Sequence, residues 1–470
     1  MEFSQEHAIE KLSATDESIQ KHNANLLKDK WKFLVFLILA QLGQQYNFQA
    51  VETVQVPLQA ELGMDEKGYG YLIMAQSLPG LFIPFLSGYI VDHVGASPGF
   101  TGSIVLTLIG HAITTLGAYE KSIFLFIAGK VIFVIAYEAT YLARIKLMRL
   151  WFEDAELNRA NSYIILAQTT SVIICDVAYP NLYEVTGVLG FPFLIGAFIS
   201  LFSVGMCVIT SKMHRNLLQN LHVEKIGEES HQPSFSILRQ FPPLMWFVVF
   251  TLTTGLVGFL LTKIYLSKFL QVDFGFSIGE AGFFLALSQL LSGIAAISAG
   301  IFADKFGKLP YISIAALVSL TVGIALNIVI PKCDQCLLPA VPIVFLSFTM
   351  APLFIAGYGE FSRLIPEKNL GMATSAVPVS ISLQMAILST TAGWIAQETF
   401  ATAGYRWVFA LSLCVAITAL ICAFKVQLLD QSGDKILQEI GRKKGSKAAE
   451  LSSLETVSKL DETNSNITNH

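Results

Sequence analysis

The sequence predicts an all-α membrane protein of twelve transmembrane helices in two six-helix halves. Three observations carry this. First, 53% hydrophobic residues, 14% charged residues and a mean hydropathy of +0.58 lie outside the range of soluble domains. Second, the chain contains twelve apolar runs of about 18 to 25 residues, each long enough to cross a hydrocarbon core of roughly 30 Å as a helix. Third, residues 88–95 read G-Y-I-V-D-H-V-G and residues 300–308 read G-I-F-A-D-K-F-G-K, so one polar pattern recurs 212 residues apart. Each copy sits between two long apolar runs, and a repeat at that distance implies two similar membrane halves.

In order, the expected spans are 32–52, 69–91, 100–118, 122–150, 158–183, 188–211, 244–266, 277–302, 309–331, 337–363, 371–397 and 404–428. Moving the start of span one, Trp31, by the motif offset of 212 residues predicts a new span near Pro243, and an apolar run begins at Leu244. The halves are therefore 31–212 and 244–428, joined by a linker over 213–243. That linker is polar, carries Glu224, Lys225, Glu228 and Glu229, and has no run long enough to cross. The tails, 1–30 and 429–470, are rich in Ser, Glu, Lys, Asn and Gln. They cannot bury enough apolar surface to fold, so disorder is expected there.

Orientation follows Lys and Arg in short loops and tails. Lys21, Lys28, Lys30 and Lys32 precede span one, and Arg442, Lys443, Lys444 and Lys447 follow span twelve. With an even number of spans, the basic loops at 149–159, 215–239 and 305–308 fall on the same side, which places both termini in the cytoplasm. The first thirty residues lack the apolar core of a signal peptide, so span one is expected to act as its own insertion signal. A net charge of −4 without a basic patch argues against nucleic-acid partners.

Among six cysteines, the local signal is Cys333 and Cys336, a C-x-x-C between spans nine and ten on the non-cytoplasmic side. A structural disulfide and free thiols are both open readings. Two ligands without a neighbouring His or Cys are too few for a metal, and no cofactor is expected. Cys175, Cys207, Cys414 and Cys422 read as apolar packing residues. The sequon at 466–468 falls in the cytoplasmic tail, where it escapes glycosylation. An enzyme is disfavoured, because the spans hold no HExxH, GxSxG or paired-Asp motif.

The two polar loops resemble the major facilitator superfamily signature between helices two and three and its echo between helices eight and nine. Its pattern is G-x-x-x-D-[R/K]-x-G-[R/K]-[R/K]. Gly300, Asp304, Lys305, Gly307 and Lys308 fit it; the first copy keeps Gly88, Asp92 and Gly95 but has His93, Ala96, Ser97 and Pro98 where basic residues stand. The resemblance implies a major facilitator fold over about 31–428, with Asp92 and Asp304 anchoring cytoplasmic latches. A carboxylate at a helix end can face a neighbouring helix N-terminus or cation in one conformation and lose it in another. A plain turn with a solvated charge is the alternative.

Within that superfamily, Glu138, Trp151-Phe152, Glu156-Leu157-Asn158, Ile365-Pro366-Glu367 and Leu370-Gly371 are similar to the branch named after major facilitator superfamily domain-containing protein 1. The likeness implies a lysosomal uniporter that exports dipeptides, in an endolysosomal membrane with a glycosylated accessory subunit. A plasma or bacterial inner membrane remains open, because the tails contain no tyrosine and Leu26-Leu27 lacks an acidic residue four positions upstream. The branch supplies a glutamate, here Glu138, for the peptide amino group and an arginine in span five for its carboxylate. The arginine position falls near Thr169, and residues 168–171 hold no cation. Carboxylate recognition is then relocated, or the substrate lacks a carboxylate.

An ionisable side chain in the hydrocarbon core costs at least about 2.5 kcal/mol on insertion scales, so each is a functional candidate. Glu138 lies mid-span between Tyr137 and Tyr141, with no Lys or Arg within one turn. It would hold an ammonium or carry a proton; a protonated core residue is the alternative. In span one, Gln41, Gln45 and Gln49 recur every four residues, followed by Glu52, with Tyr46 and Asn47 alongside. That stripe either reads peptide-like groups or glues span one to its neighbours.

His111, Arg144, Asp176 and Lys263 complete the ionisable set. Arg144 and Lys263 are expected to snorkel toward opposite membrane faces unless one faces the cavity as a carboxylate partner. Asp176 reads as a gate or interface residue, and His111 as a packing residue or a proton relay. Gln76, Gln289 and Gln384 repeat the theme of mid-span amides. Glu138, Tyr46, Gln45, Gln49, Tyr141, Gln168, Gln384 and Lys263 are thus the expected substrate-facing residues. Such a cavity suits a small polar, zwitterionic or cationic solute, with protons as a second partner where transport is coupled. It does not suit phosphate esters, which want clustered Arg or Lys. A carrier of another solute, such as an amino acid, sugar or drug, and a non-transporting receptor on the same scaffold are the competing readings.

Overall fold

A computed structural model describes residues 29–152, 154–220, 241–365, 367–433 and 435–438. Among these residues the structure is helical, with no strand. Ten helices are each long and apolar enough to cross a membrane unaided, the first being Ala96–Tyr119 and the last Arg406–Ser432. They are spans three to twelve. Spans one and two complete the twelve, but each is interrupted.

Span one is built from four segments, Lys30–Ala40, Leu42–Phe48, Ala50–Thr53 and Gln55–Leu62. Pro57 has no N–H to offer the Thr53 carbonyl one turn back. That carbonyl instead accepts the hydroxyl of Ser267 from span seven at 3.4 Å. Span one thus runs ten residues beyond its expected end at Glu52. The extension is polar in sequence because Gln55, Leu58 and Gln59 are buried against protein rather than lipid. Span two is Glu66–Ser77, a 3-10 turn Leu78–Leu81 containing Pro79, and Ile83–Val94.

Span seven begins at Pro243, where the motif offset placed it, and runs to Phe274. Its most apolar stretch is 72% buried, against 28–50% for the other nine, which makes it the central helix of its half rather than a lipid-facing one. Span six continues to Asn220, past its expected end at 211, held in part by Trp151 Nε1 donating to His214 Nδ1 at 3.1 Å. The two tails, apart from their innermost residues, and linker residues 221–240 lie outside the described residues.

The face where span one starts and span twelve ends is the tail side. Across the molecule, spans two and eleven of opposite halves pack through small residues: a Cβ on Gly70 would meet the Ser389 carbonyl at 2.7 Å and Gly393 Cα at 3.1 Å. The duplicated loops share a backbone requirement. Gly95 has φ +102° and Gly307 has φ +75°, a region open mainly to glycine.

Candidate functional site

Span four, Ile123–Trp151, turns Tyr137, Thr140 and Arg144 toward span one, as helical spacing requires. The Tyr137 ring stacks on Phe48 with centroids 4.3 Å apart. Gln44 Nε2 donates to Thr140 Oγ1 and to Thr107 Oγ1 of span three, both at 3.0 Å. Arg144 Nη1 donates to Gln41 Oε1 at 3.3 Å, and its guanidinium lies 5.0 Å from the Tyr141 ring centre. Gln41, Gln45, Gln168 and Ser171 line a small cleft between spans one and five, with Ile38 and Ile164 on its apolar walls. Beside this seam Glu138 is half-buried, and its carboxylate has no hydrogen-bond or ion partner among the described residues.

Away from the tail side, the halves are tied by charge. Lys263 Nζ donates to Gln49 Oε1 at 2.5 Å and stands 4.0 Å from Glu52 Oε2. Lys268 bonds Gln59 Oε1 at 2.5 Å and is paired with Glu66. Tyr405 donates to the same Glu66 carboxylate at 2.8 Å, and the Glu66 N–H donates to Gln397 Oε1 at 3.1 Å. Lys67 meets Glu398 at 2.9 Å.

The expected substrate-facing residues therefore divide. Gln45 and Gln168 share the cleft, whereas Tyr141 is 48% exposed and packs against Arg144. Gln49 and Lys263 lie in the charged seam. Tyr46 is buried against Tyr179 with ring centres 5.3 Å apart. Gln384 donates to Thr253 Oγ1 at 2.9 Å and Ser380 Oγ at 3.0 Å within the second half.

Two expectations are corrected. The span-one amides form no continuous stripe, because the helix breaks at Gln41 and Gln49 and each amide meets a different neighbour. Arg144 and Lys263 do not snorkel: they are 7% and 5% exposed and bonded to glutamines inside the protein. Asp176 is fully buried, with both carboxylate oxygens lacking a hydrogen-bond partner among the described residues. His111 Nε2 lies 3.0 Å from the Phe193 carbonyl.

Sequence reasoning passed over Lys130, which is fully buried and donates to the Asn47 carbonyl at 3.2 Å. It also missed Glu66, Lys268 and Tyr405, whose positions near span ends read as loop polarity. Their available signal was an acid, a base and a phenol at the same membrane depth.

In the second motif copy, Asp304 is exposed with no partner among the described residues. Lys305 lies 5.4 Å from the Phe306 ring centre and Lys308 lies 5.9 Å from that of Tyr311, flanking Gly307. A Cβ on Gly300 would meet open space. In the first copy the backbone is helical to Val94, but the side chains of residues 88–92, including Asp92 and the Gly88 position, lie outside the described residues. Cys333 and Cys336 are paired, with Cα atoms 5.9 Å apart.

The lysosomal dipeptide transporter MFSD1 of Danio rerio is similar to this chain, 21% identical over 415 residues and covering 85% of this chain and 87% of its own length. The Homo sapiens protein of that name is 22% identical over 407 residues, covering 83% and 84%. Among solved structures, the peptide transporter POT in complex with sulfate superposes with a TM-score of 0.68 at 10% identity, covering 87% of this chain and 96% of that one. The nucleoside transporter NupG gives 0.63 at 13% identity, covering 84% and 98%. These structural likenesses establish the fold alone. The Major Facilitator Superfamily sequence pattern matches residues 37–332; with twelve spans in two halves around a polar interior, this chain belongs to that superfamily and is a multi-pass membrane transporter.

Proposed function

We propose that the protein carries small zwitterionic solutes of the dipeptide class by alternating access, with both termini cytoplasmic, in the lysosomal membrane. The observation that carries this reading is Glu138, a carboxylate at mid-membrane depth without a protein partner among the described residues. Keeping it there costs at least about 2.5 kcal/mol, and the ammonium group of an arriving solute offsets that cost. Gln45 and Gln168 stand in the neighbouring cleft, where neutral amides suit a peptide backbone. The names of the Danio rerio and Homo sapiens relatives, lysosomal dipeptide transporters, support the substrate class and the membrane.

In this arrangement the seam away from the tails is closed by Lys263, Lys268 and Glu66. Asp92 and Asp304 act as latches of the opposite state, and the exposed, unpartnered Asp304 fits a released latch. A proton-coupled version of the same cycle is favoured by Asp176, a buried carboxylate with neither oxygen hydrogen-bonded among the described residues.

Uptake by purified protein in proteoliposomes tests both. The panel is dipeptides, amino acids and sugars, with and without an inward proton gradient, for wild type and Glu138→Gln. Saturable dipeptide uptake lost in the variant is the expected result, and gradient dependence distinguishes coupling from uniport. Transport of another solute without dipeptides overturns the substrate class.

A further inference from the structure

We infer that Arg144 is the carboxylate anchor of the transport site, so that the solute must carry a free carboxylate as well as the ammonium met by Glu138. The inference rests on the transport reading above and narrows it. A guanidinium carries five N–H donors in a rigid fork and no acceptor. The structure uses Nη1, on Gln41 Oε1 at 3.3 Å. Nε has no partner, and no carboxylate faces the charge among the described residues. The residue is nonetheless only 7% exposed. A buried cation without a counter-ion is costly in hydrocarbon, and an arriving carboxylate removes that cost with two charge-assisted hydrogen bonds.

The other buried cations are already committed. Lys130 is bonded to the Asn47 carbonyl, Lys263 to Gln49 beside Glu52, and Lys268 to Gln59 and Glu66. Arg144 is also held in plane, by Gln41 on one edge and the Tyr141 ring 5.0 Å away. Gln41 is at once the partner of Arg144 and a wall of the cleft that contains Gln45, Gln168 and Ser171. The cation and the amide-lined cleft therefore form one site.

Spacing sets the solute's length. Glu138 and Arg144 are six residues apart on one helix, an axial rise of about 9 Å with the two side chains about 120° apart around it, so their charged ends stand farther apart than the rise alone. An extended dipeptide separates its charged ends by roughly 7 Å, and a hydrogen bond of about 2.8 Å at each end extends its reach to roughly 13 Å. A free amino acid carries both charges on one carbon and reaches one anchor at a time.

The test is ligand-induced thermal stabilisation of the purified full chain with three ligands: dialanine, N-acetyl-dialanine with only the carboxylate, and dialanine amide with only the ammonium. Arg144→Gln should weaken the first two by at least about ten-fold and leave the amide unaffected, which also shows that the variant is folded. Glu138→Gln should give the mirror image, and Arg144→Lys should restore part of the carboxylate response. Unchanged N-acetyl-dialanine binding in Arg144→Gln, or equal weakening of all three ligands, overturns the inference. If wild type binds the amide but neither carboxylate, the anchor falls while an amine carrier stands. If wild type binds none of the three, the peptide reading falls, and non-peptide monocarboxylates compared with their amides decide Arg144. Carboxylate binding lost in Arg144→Gln then upholds the anchor, and no carboxylate binding overturns it.

Discussion

Lys268 of span seven is ion-paired with Glu66 at the start of span two, so the centre of one half is bonded directly to the rim of the other. Tyr405 donates to the same carboxylate at 2.8 Å, leaving Glu66 enclosed by groups from spans seven and twelve. Removing one partner of a buried pair costs about 3–5 kcal/mol because the other charge is stranded. Here that penalty falls on the conformation in which the seam is closed. Glu66→Gln should therefore populate states open on the side away from the tails. Cys175, fully buried in the closed seam, reports the change: its alkylation, followed by peptide mass spectrometry, should accelerate in the variant. An unchanged rate would show that the pair does not hold the seam.

Ser267→Ala should lower thermal stability by about 1 kcal/mol. The Ser267 hydroxyl is the donor to the Thr53 carbonyl at 3.4 Å, which Pro57 leaves without its helical partner. Restoring that backbone donor with Pro57→Ala should remove most of the effect of Ser267→Ala, and a double-mutant cycle on unfolding midpoints measures the coupling.

Glycines of the second motif copy should separate by role. Gly307→Ala forces a side chain into φ +75° and should destabilise by about 1 kcal/mol. Gly300→Ala lies inside the span-eight helix and faces open space, so it should leave the unfolding midpoint unchanged or raise it, glycine costing about 0.5–1 kcal/mol relative to alanine in a helix. Equal effects would contradict the backbone account.

Cys333 and Cys336, with Cα atoms 5.9 Å apart, are within disulfide reach. Alkylation of protein isolated from its native membrane under non-reducing, denaturing conditions should leave both thiols unmodified, and prior reduction should expose both. Labelling without reduction would return the pair to free thiols.

The polytopic class, most span positions and the duplicated loop were legible in the sequence because bilayer thickness and backbone hydrogen bonding impose a local, periodic demand on every crossing segment. The φ requirement at Gly95 and Gly307 is equally local, which is why both copies keep the glycine. Glu138 could be singled out because a carboxylate amid apolar residues needs no partner to be conspicuous. The interruptions of span one were less legible: Pro57 marks one break, but the Ser267 hydroxyl that satisfies the freed carbonyl lies more than two hundred residues away. The fates of Arg144, Lys130 and Lys263 were not legible at all. Snorkelling and burial start from the same residue at the same depth, and the choice depends on whether a neighbouring helix offers an acceptor. Only the tertiary structure brought Gln41 to Arg144, Asn47 to Lys130 and Gln49 to Lys263. The sequence by itself determined which helices cross the membrane, since that is set by each segment's own transfer free energy; packing between helices decided which charges are bonded inside the protein and which remain available to a solute.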